Sequence, residues 1–334
     1  MRDAVIGLDT SNYRTSVALV SSERQILLNE RRLLSVPSGE RGLRQGDAVY
    51  AHLKQIRPLL ESLRGFSREW RIAAVSASGK PRDRSDSYMP VFEVGDALGR
   101  GMAAAMGVPF FSADHQRGHI RAAQHGTRLE DSDRFLAFHL SGGTTDLLSV
   151  RDGKPEELGS SLDLHAGQLV DRVGVALGCP FPAGPVLEEL ALRGVSEARL
   201  GCAMEQGDLS CHLSGAESQV MRWIRQGSLP PEQIAREIYD LLARTAARML
   251  TAGERITGFH DALICGGIAS SGLFRRMLTE RLGRMRSRLR LVFGDPELSG
   301  DNAVGVALIG ADRLREETDP AEETEKTFPE GKTD

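Results

Sequence analysis

A chain of 334 residues with 40% hydrophobic and 26% charged side chains has the composition of a folded α/β protein with room for two cores, which excludes the fibrous and disordered classes. No apolar run approaches the ~20 residues a membrane helix requires, and MRDAVIGLDT lacks a signal-peptide core, so a cytoplasmic protein without membrane contact is expected. The net charge of −4 conceals an acidic end: residues 316–334 hold eight acidic groups and two lysines, a local −6 that leaves about +2 for the body.

AVIGLDTS (4–11) reads as a buried strand ending in a polar turn, and TSVALVS (15–21) as the strand that returns from it. Residues 46–64 carry apolar side chains at helical spacing, 72–79 read as a buried strand, 95–107 as a helix, and 108–114 as a short strand. FLAFHLSGG (135–143) and TDLLSVRDG (145–153) then repeat the opening hairpin roughly one domain length later, the signature of a duplicated lobe whose two hairpin tips could clamp one ligand. Helices follow at 165–178 and 231–250, separated from each other by the CPFPAGP loop (179–185) and a polar stretch. ALICGGIASSG (262–272) is a strand running into a glycine-rich turn, 288–296 is another strand, and 301–314 is a final helix. The expected organisation is a first lobe over 1–130 with the helix 300–315 packing back on it, a second lobe over 131–299, and a disordered acidic tail over 316–334.

Three turns can meet an anion. SGGTTD (141–146) offers backbone N–H groups at Gly142 and Gly143, with hydroxyls from Ser141, Thr144 and Thr145. Asp9, Thr10 and Ser11 form the other hairpin tip, where a carboxylate can hold a cation or water beside a phosphate. Gly266 and Gly267 open the turn GGIASSG before a helix N-terminus. In HQRGH (115–119), two imidazoles at i and i+4 lie on one helix face about 6 Å apart at Cβ, close enough to share a metal. Gly118 costs that helix roughly 1 kcal/mol against alanine and calls for a close backbone approach. Asp301 is the candidate third ligand, and two imidazoles with a carboxylate suit iron(II) or zinc. Gln116 stands where a zinc protease would carry its glutamate, which disfavours proteolysis. The seven arginines of 275–291 form a candidate basic face for phosphates. His139 reads as a core histidine, His165 as a cleft-wall residue or a helix cap, His125 as solvated, Trp70 and Trp223 as packing, and the four cysteines, without CxxC spacing, as buried thiols.

Taken in order, these motifs resemble the threonylcarbamoyl-adenosine synthase family (TsaD/Gcp, glycoprotease-like) from about Val5 to Ala311. The resemblance implies the actin-like, sugar-kinase-like ATPase fold, with two duplicated RNase-H-like lobes around a central cleft. It implies a metal held by His115, His119 and Asp301, and substrate contacts by Ser141, Gly142, Gly143, Asp171 in LDLHAGQLVDRVG, Gly184 in FPAGP, and the GGIASS turn through Ser271. The activity it implies is transfer of a threonylcarbamoyl group from its adenylate to N6 of adenosine in tRNA, with one divalent metal, scope for ATP or an adenylate with magnesium, and partner proteins or a homodimer. The chain departs from the family pattern at Asn12, Tyr13 and Arg14, at Gln168, at Ser271 in place of asparagine, at Glu217 in place of lysine, and over a rebuilt 80–92 loop. Those departures also suit a paralogue with the same fold and metal but another nucleotide or carbamoyl substrate, or a non-catalytic nucleotide-binding scaffold.

Overall fold

The computed structural model describes residues 1–11, 14–35, 43–300 and 302–318. These form two compact units, 1–114 with the chain from 306 onward, and 115–305. The expected tail lies outside the described residues from 319 on.

The first unit runs β1 (Arg2–Ser11), β2 (Arg14–Ser21), β3 (Ile26–Leu33), α1 (Gln45–Glu61), β4 (Trp70–Lys80), α2 (Phe92–Met106) and β5 (Phe110–Asp114). The second runs α3 (His115–Gln124), β6 (Arg134–Leu140), β7 (Thr145–Arg151), β8 (Lys154–Ser160), α4 (Ala166–Ala176), α5 (Gly184–Arg193), the two-residue strands β9 (Ala203–Met204) and β10 (Cys211–His212), α6 (Ser214–Gln226), α7 (Pro231–Thr257), β11 (Asp261–Cys265), α8 (Gly272–Arg284) and β12 (Arg290–Phe293). The last helix, α9 (Val304–Thr318), starts in the second unit and belongs to the first from Val306.

The first sheet has the order β3-β2-β1-β4-β5 and the second β8-β7-β6-β11-β12. In each, three antiparallel strands precede two parallel ones reached by helical crossovers. The same order, the same directions and the same crossovers establish the duplication that the two hairpins announced.

Strand alternation sets the faces. In β6, Leu136, Phe138 and Leu140 point to the large core shared with α4, α5, α7 and α8, while Phe135 and Ala137 point to α3, where Ile120 and Ala123 meet Leu148, Val150 and Leu263. This packing is why α3 belongs to the second unit, so that the division falls after Asp114 rather than at residue 130. In the first unit α1 buries Ala48, His52, Ile56 and Leu59 at helical spacing, and α9 lays Ala311 against Val5 and Ala74. Trp70 is buried and Trp223 packs on the large core, as expected of both. Cys179, Cys211 and Cys265 are buried free thiols, whereas Cys202 is partly exposed. Among the described residues no helix is long and apolar enough to cross a membrane.

Gly118 has its close approach. A Cβ on Gly305, at the start of α9, would lie 1.8 Å from the Gly118 carbonyl oxygen and 2.9 Å from the Ala122 nitrogen. Neither backbone can withdraw without breaking its helix. Gly305→Ala is therefore expected to destabilise the protein by about 3 kcal/mol, seen as a lowered urea midpoint. An unchanged midpoint would mean that the two helices are free to separate.

Candidate functional site

Most of the expected site residues of the second unit gather where β6 and β11, two parallel neighbours, reach their carboxyl ends, the usual place for a ligand in an α/β sheet. The β6–β7 turn is closed by the Ser141 N–H donating to the Thr144 carbonyl at 2.8 Å. It leaves Gly142 and Gly143 exposed, with Ser141 and Thr144 partly so. The N-terminus of α4 sits directly on it. Gly167 N–H donates to the Ser141 carbonyl at 3.0 Å, Ala166 N–H to the Thr145 hydroxyl at 2.8 Å, and a Cβ on Gly167 would come within 2.6 Å of the Gly142 nitrogen. His165 is the N-cap of that helix, as expected, and its N–H donates to the Gln168 side chain at 3.3 Å. Gly266, at φ +91°, passes so close to β6 that a Cβ there would meet the Leu140 carbonyl at 2.3 Å. Gly267 beside it has open space for a side chain.

Asp171, Gly184 and Ser271 are joined by a chain of hydrogen bonds. Ala183 N–H donates to Asp171 Oδ1 at 2.8 Å, the Tyr239 hydroxyl donates to the Gly184 carbonyl at 3.2 Å, and the same hydroxyl meets the Ser271 side chain. Ser271 also caps α8, accepting from Phe274 N–H at 3.1 Å. Burial pushes the Asp171 carboxyl above its ordinary range against the pull of the Ala183 N–H, and burial with the nearby Glu188 carboxylate keeps Tyr239 protonated.

The imidazole pair lies on the first turn of α3. His115 Nε2 and His119 Nε2 are 3.0 Å apart, with ring planes at 77°. Two nitrogens about 2.1 Å from one metal are about 3.0 Å apart at the right angle of an octahedral ion and about 3.4 Å apart at the tetrahedral angle of zinc, so the pair is within reach of one divalent ion and closer to the octahedral spacing. Asp301, the expected carboxylate ligand, lies outside the described residues, and among the described ones no three His, Cys, Asp or Glu side chains are arranged to hold a metal. Residues not singled out as ligands surround the pair. His139 stacks its ring 4.7 Å from His119 at 45°, and the buried Asp146 accepts from the Gln116 amide at 3.1 Å. The period-2 pattern of β6 and β7 carries the missed signal: His139 shares the parity of Phe135 and Ala137, so it faces α3.

Asp9, Thr10 and Ser11 belong to the first unit and are almost fully buried. The Thr10 hydroxyl donates to the Val91 carbonyl at 2.7 Å and accepts from Gly95 N–H at 3.0 Å, so it ties α2 to β1. The arginine run is largely engaged within the fold. Arg275 donates to the Ala269 and Gly294 carbonyls, Arg281 and Arg290 pair with Asp240 and Asp261, and Arg284 pairs with Glu280 one turn away, which leaves Arg276, Arg286 and Arg288 without an ion-pair partner among the described residues. Glu217 receives Arg172 Nη1 at 3.1 and 3.2 Å, which accounts for the charge reversal at that position. His125 pairs with Glu130 at 3.2 Å rather than facing solvent alone.

Residues 89–308, well over half of the chain, match the family described as tRNA N6-adenosine threonylcarbamoyltransferase (TsaD). The chain belongs to this family. Solved structures give the fold, the actin-like and sugar-kinase-like ATPase fold. The activator of the 2-hydroxyisocaproyl-CoA dehydratase from Clostridium difficile, with bound ADPNP, is 16% identical over 95% of this chain and 98% of its own, at a TM-score of 0.54. A ROK-family glucokinase from Streptomyces griseus, in complex with glucose and AMPPNP, is 14% identical over 92% of this chain and 98% of its own, at 0.53. HypF from T. kodakarensis is 14% identical over 95% of this chain at 0.62, and the chain spans about half of it, 48%.

The raised pKa of Asp171 has a sign that can be tested. Ionisation costs folding free energy as the pH rises past the 3.8 of an unfolded aspartate, and the cost is complete above the folded value. Asp171→Asn is expected to raise the urea midpoint at pH 7, with the gain vanishing below about pH 3.8. A destabilised variant at pH 7 would show that the carboxylate is held for structure rather than for a ligand.

Proposed function

We propose that the chain transfers a threonylcarbamoyl group from its adenylate to N6 of an adenosine in tRNA. The observation that carries this reading is the HQRGH imidazole pair with its Nε2 atoms 3.0 Å apart, in a chain of the threonylcarbamoyltransferase family. His115, His119 and Asp301 would hold one iron(II) or zinc ion, which as a Lewis acid would polarise the carbamoyl carbonyl. The Gly142 N–H, and the Gly143 N–H on exchanging its 3.3 Å bond to the Ser141 hydroxyl, would bind the acyl phosphate, and the hydroxyls of Ser141 and Thr144 would orient it. Asp171, through the carboxyl oxygen not engaged by Ala183, would accept a hydroxyl of the adenylate, with Gly184 and Ser271 beside the nucleoside. In the transfer the adenosine N6 forms a bond to the carbamoyl carbon, the bond from that carbon to the phosphate oxygen breaks, AMP leaves, and N6 gives up one proton. In this reading the protein works in the cytoplasm, alone with tRNA or with a partner protein or second copy, and Arg276, Arg286 and Arg288 are the first candidates for phosphate contact.

A paralogue acting on a different acceptor is the second reading, favoured by the Arg172–Glu217 pair that replaces the family lysine. Anaerobically purified protein should carry one metal per chain by mass spectrometry and should modify tRNA when given threonylcarbamoyl adenylate. His115→Ala and His119→Ala are each expected to lose the metal and at least 100-fold in transfer, an effect on the order of 3 kcal/mol. Metal without transfer would select the second reading, and transfer that survives loss of the metal would overturn the role given to the histidines.

A further inference from the structure

Two side chains outside the expected ligand set face the imidazole pair from the sheet. β6 and β7 register His139 opposite Asp146, and the parity of both strands turns the two toward α3, beside Phe135, Ala137, Leu148 and Val150. The β6 and β7 side chains that share this face, Phe135, Ala137, Leu148 and Val150, are apolar, so an imidazole and a carboxylate there are costly unless they are engaged. Both are engaged with the first turn of α3. His139, 4% exposed, sets its ring against His119, itself 7% exposed, and Asp146, 1% exposed, fixes the Gln116 amide at 3.1 Å. Gln116 follows His115 and precedes His119 by three residues, so the bond fixes the rotation of the turn that carries both rings. The backbone contact between Gly118 and Gly305 fixes its depth.

We propose that His139 and Asp146 are positioning residues of the metal centre in this chain, His139 orienting the His119 ring directly and Asp146 orienting the turn through Gln116. The inference rests on the metal reading of His115 and His119 and adds two residues to it. Positioning partners of metal-bound histidines typically change metal affinity 10- to 100-fold when removed, without taking a place among the ligands.

Cobalt(II) is the probe. Full-length protein freed of metal with a chelator is titrated with cobalt(II) while the visible ligand-field bands are recorded, for the parent, His139→Phe and Asp146→Asn. Phenylalanine preserves the ring that packs on His119 and removes its nitrogens, and asparagine preserves the shape of Asp146 and removes its charge. The expected result is a 10- to 100-fold weaker cobalt affinity in His139→Phe, a smaller loss in Asp146→Asn, and shifted bands in either, at thermal midpoints close to the parent. Parent-like affinity and bands in both variants would overturn the proposal and leave the metal reading standing. A parent protein that takes up no cobalt(II) would overturn both. If His139→Phe fails to fold, the affinity and bands of Asp146→Asn decide.

Discussion

The contact between two glycine backbones, Gly118 in α3 and Gly305 at the start of α9, is the constraint on which the imidazole site depends. Helices that touch through their main chains have no side chains to yield, so the spacing is set by covalent geometry rather than by packing choice. α3 is held on its opposite side by Ile120 and Ala123 in the core of the second sheet. The turn bearing His115 and His119 is thus gripped from two sides, and their Nε2 atoms lie 3.0 Å apart, within hydrogen-bonding distance of each other.

From that frame the remaining site residues follow along a single strand. β6 ends in His139, Leu140 and then Ser141, so one strand delivers a ring to the imidazole pair and, two residues later, the first residue of the glycine turn. Gly266 comes against the Leu140 carbonyl, and Gly167 brings α4 onto Ser141. Where a Cβ would strike main chain, at Gly167, Gly266 and Gly305, glycine is a requirement of assembly. Where open space surrounds the residue, at Gly142 and Gly267, assembly makes no such demand.

Much of this was legible from residue order. Hairpin repetition gave the duplicated topology, because alternating apolar runs ended by polar turns are local signals. The HQRGH spacing gave the ring pair, because i and i+4 share a face on any helix. What escaped depended on tertiary partners. His139 was indistinguishable from a core histidine until α3 was seen to cover its face. The arginine run looked like one basic surface, yet Asp240 and Asp261, outside the run, and the backbone carbonyls of Ala269 and Gly294 engage three of its members. Glu217 looked like a lost anion contact until Arg172, one turn along a neighbouring helix, met it. That pair is partly exposed and worth at most about 1 kcal/mol, so it explains the charge without explaining stability. The lobe boundary, too, was set by which sheet α3 covers, a matter no linker composition marks.

The two hairpin tips descend from one repeated pattern and now differ in what surrounds them. At Asp9, Thr10 and Ser11 the polar groups are almost fully buried and Thr10 anchors α2, whereas the glycines of the 141–144 turn stand open. The two copies of one element therefore stand under different packing constraints. A library of random substitutions should register the first tip through the amount of folded protein recovered. The second, where added side chains meet open space, should register far less in that amount, so the two copies would be separated by an abundance assay that ignores activity altogether.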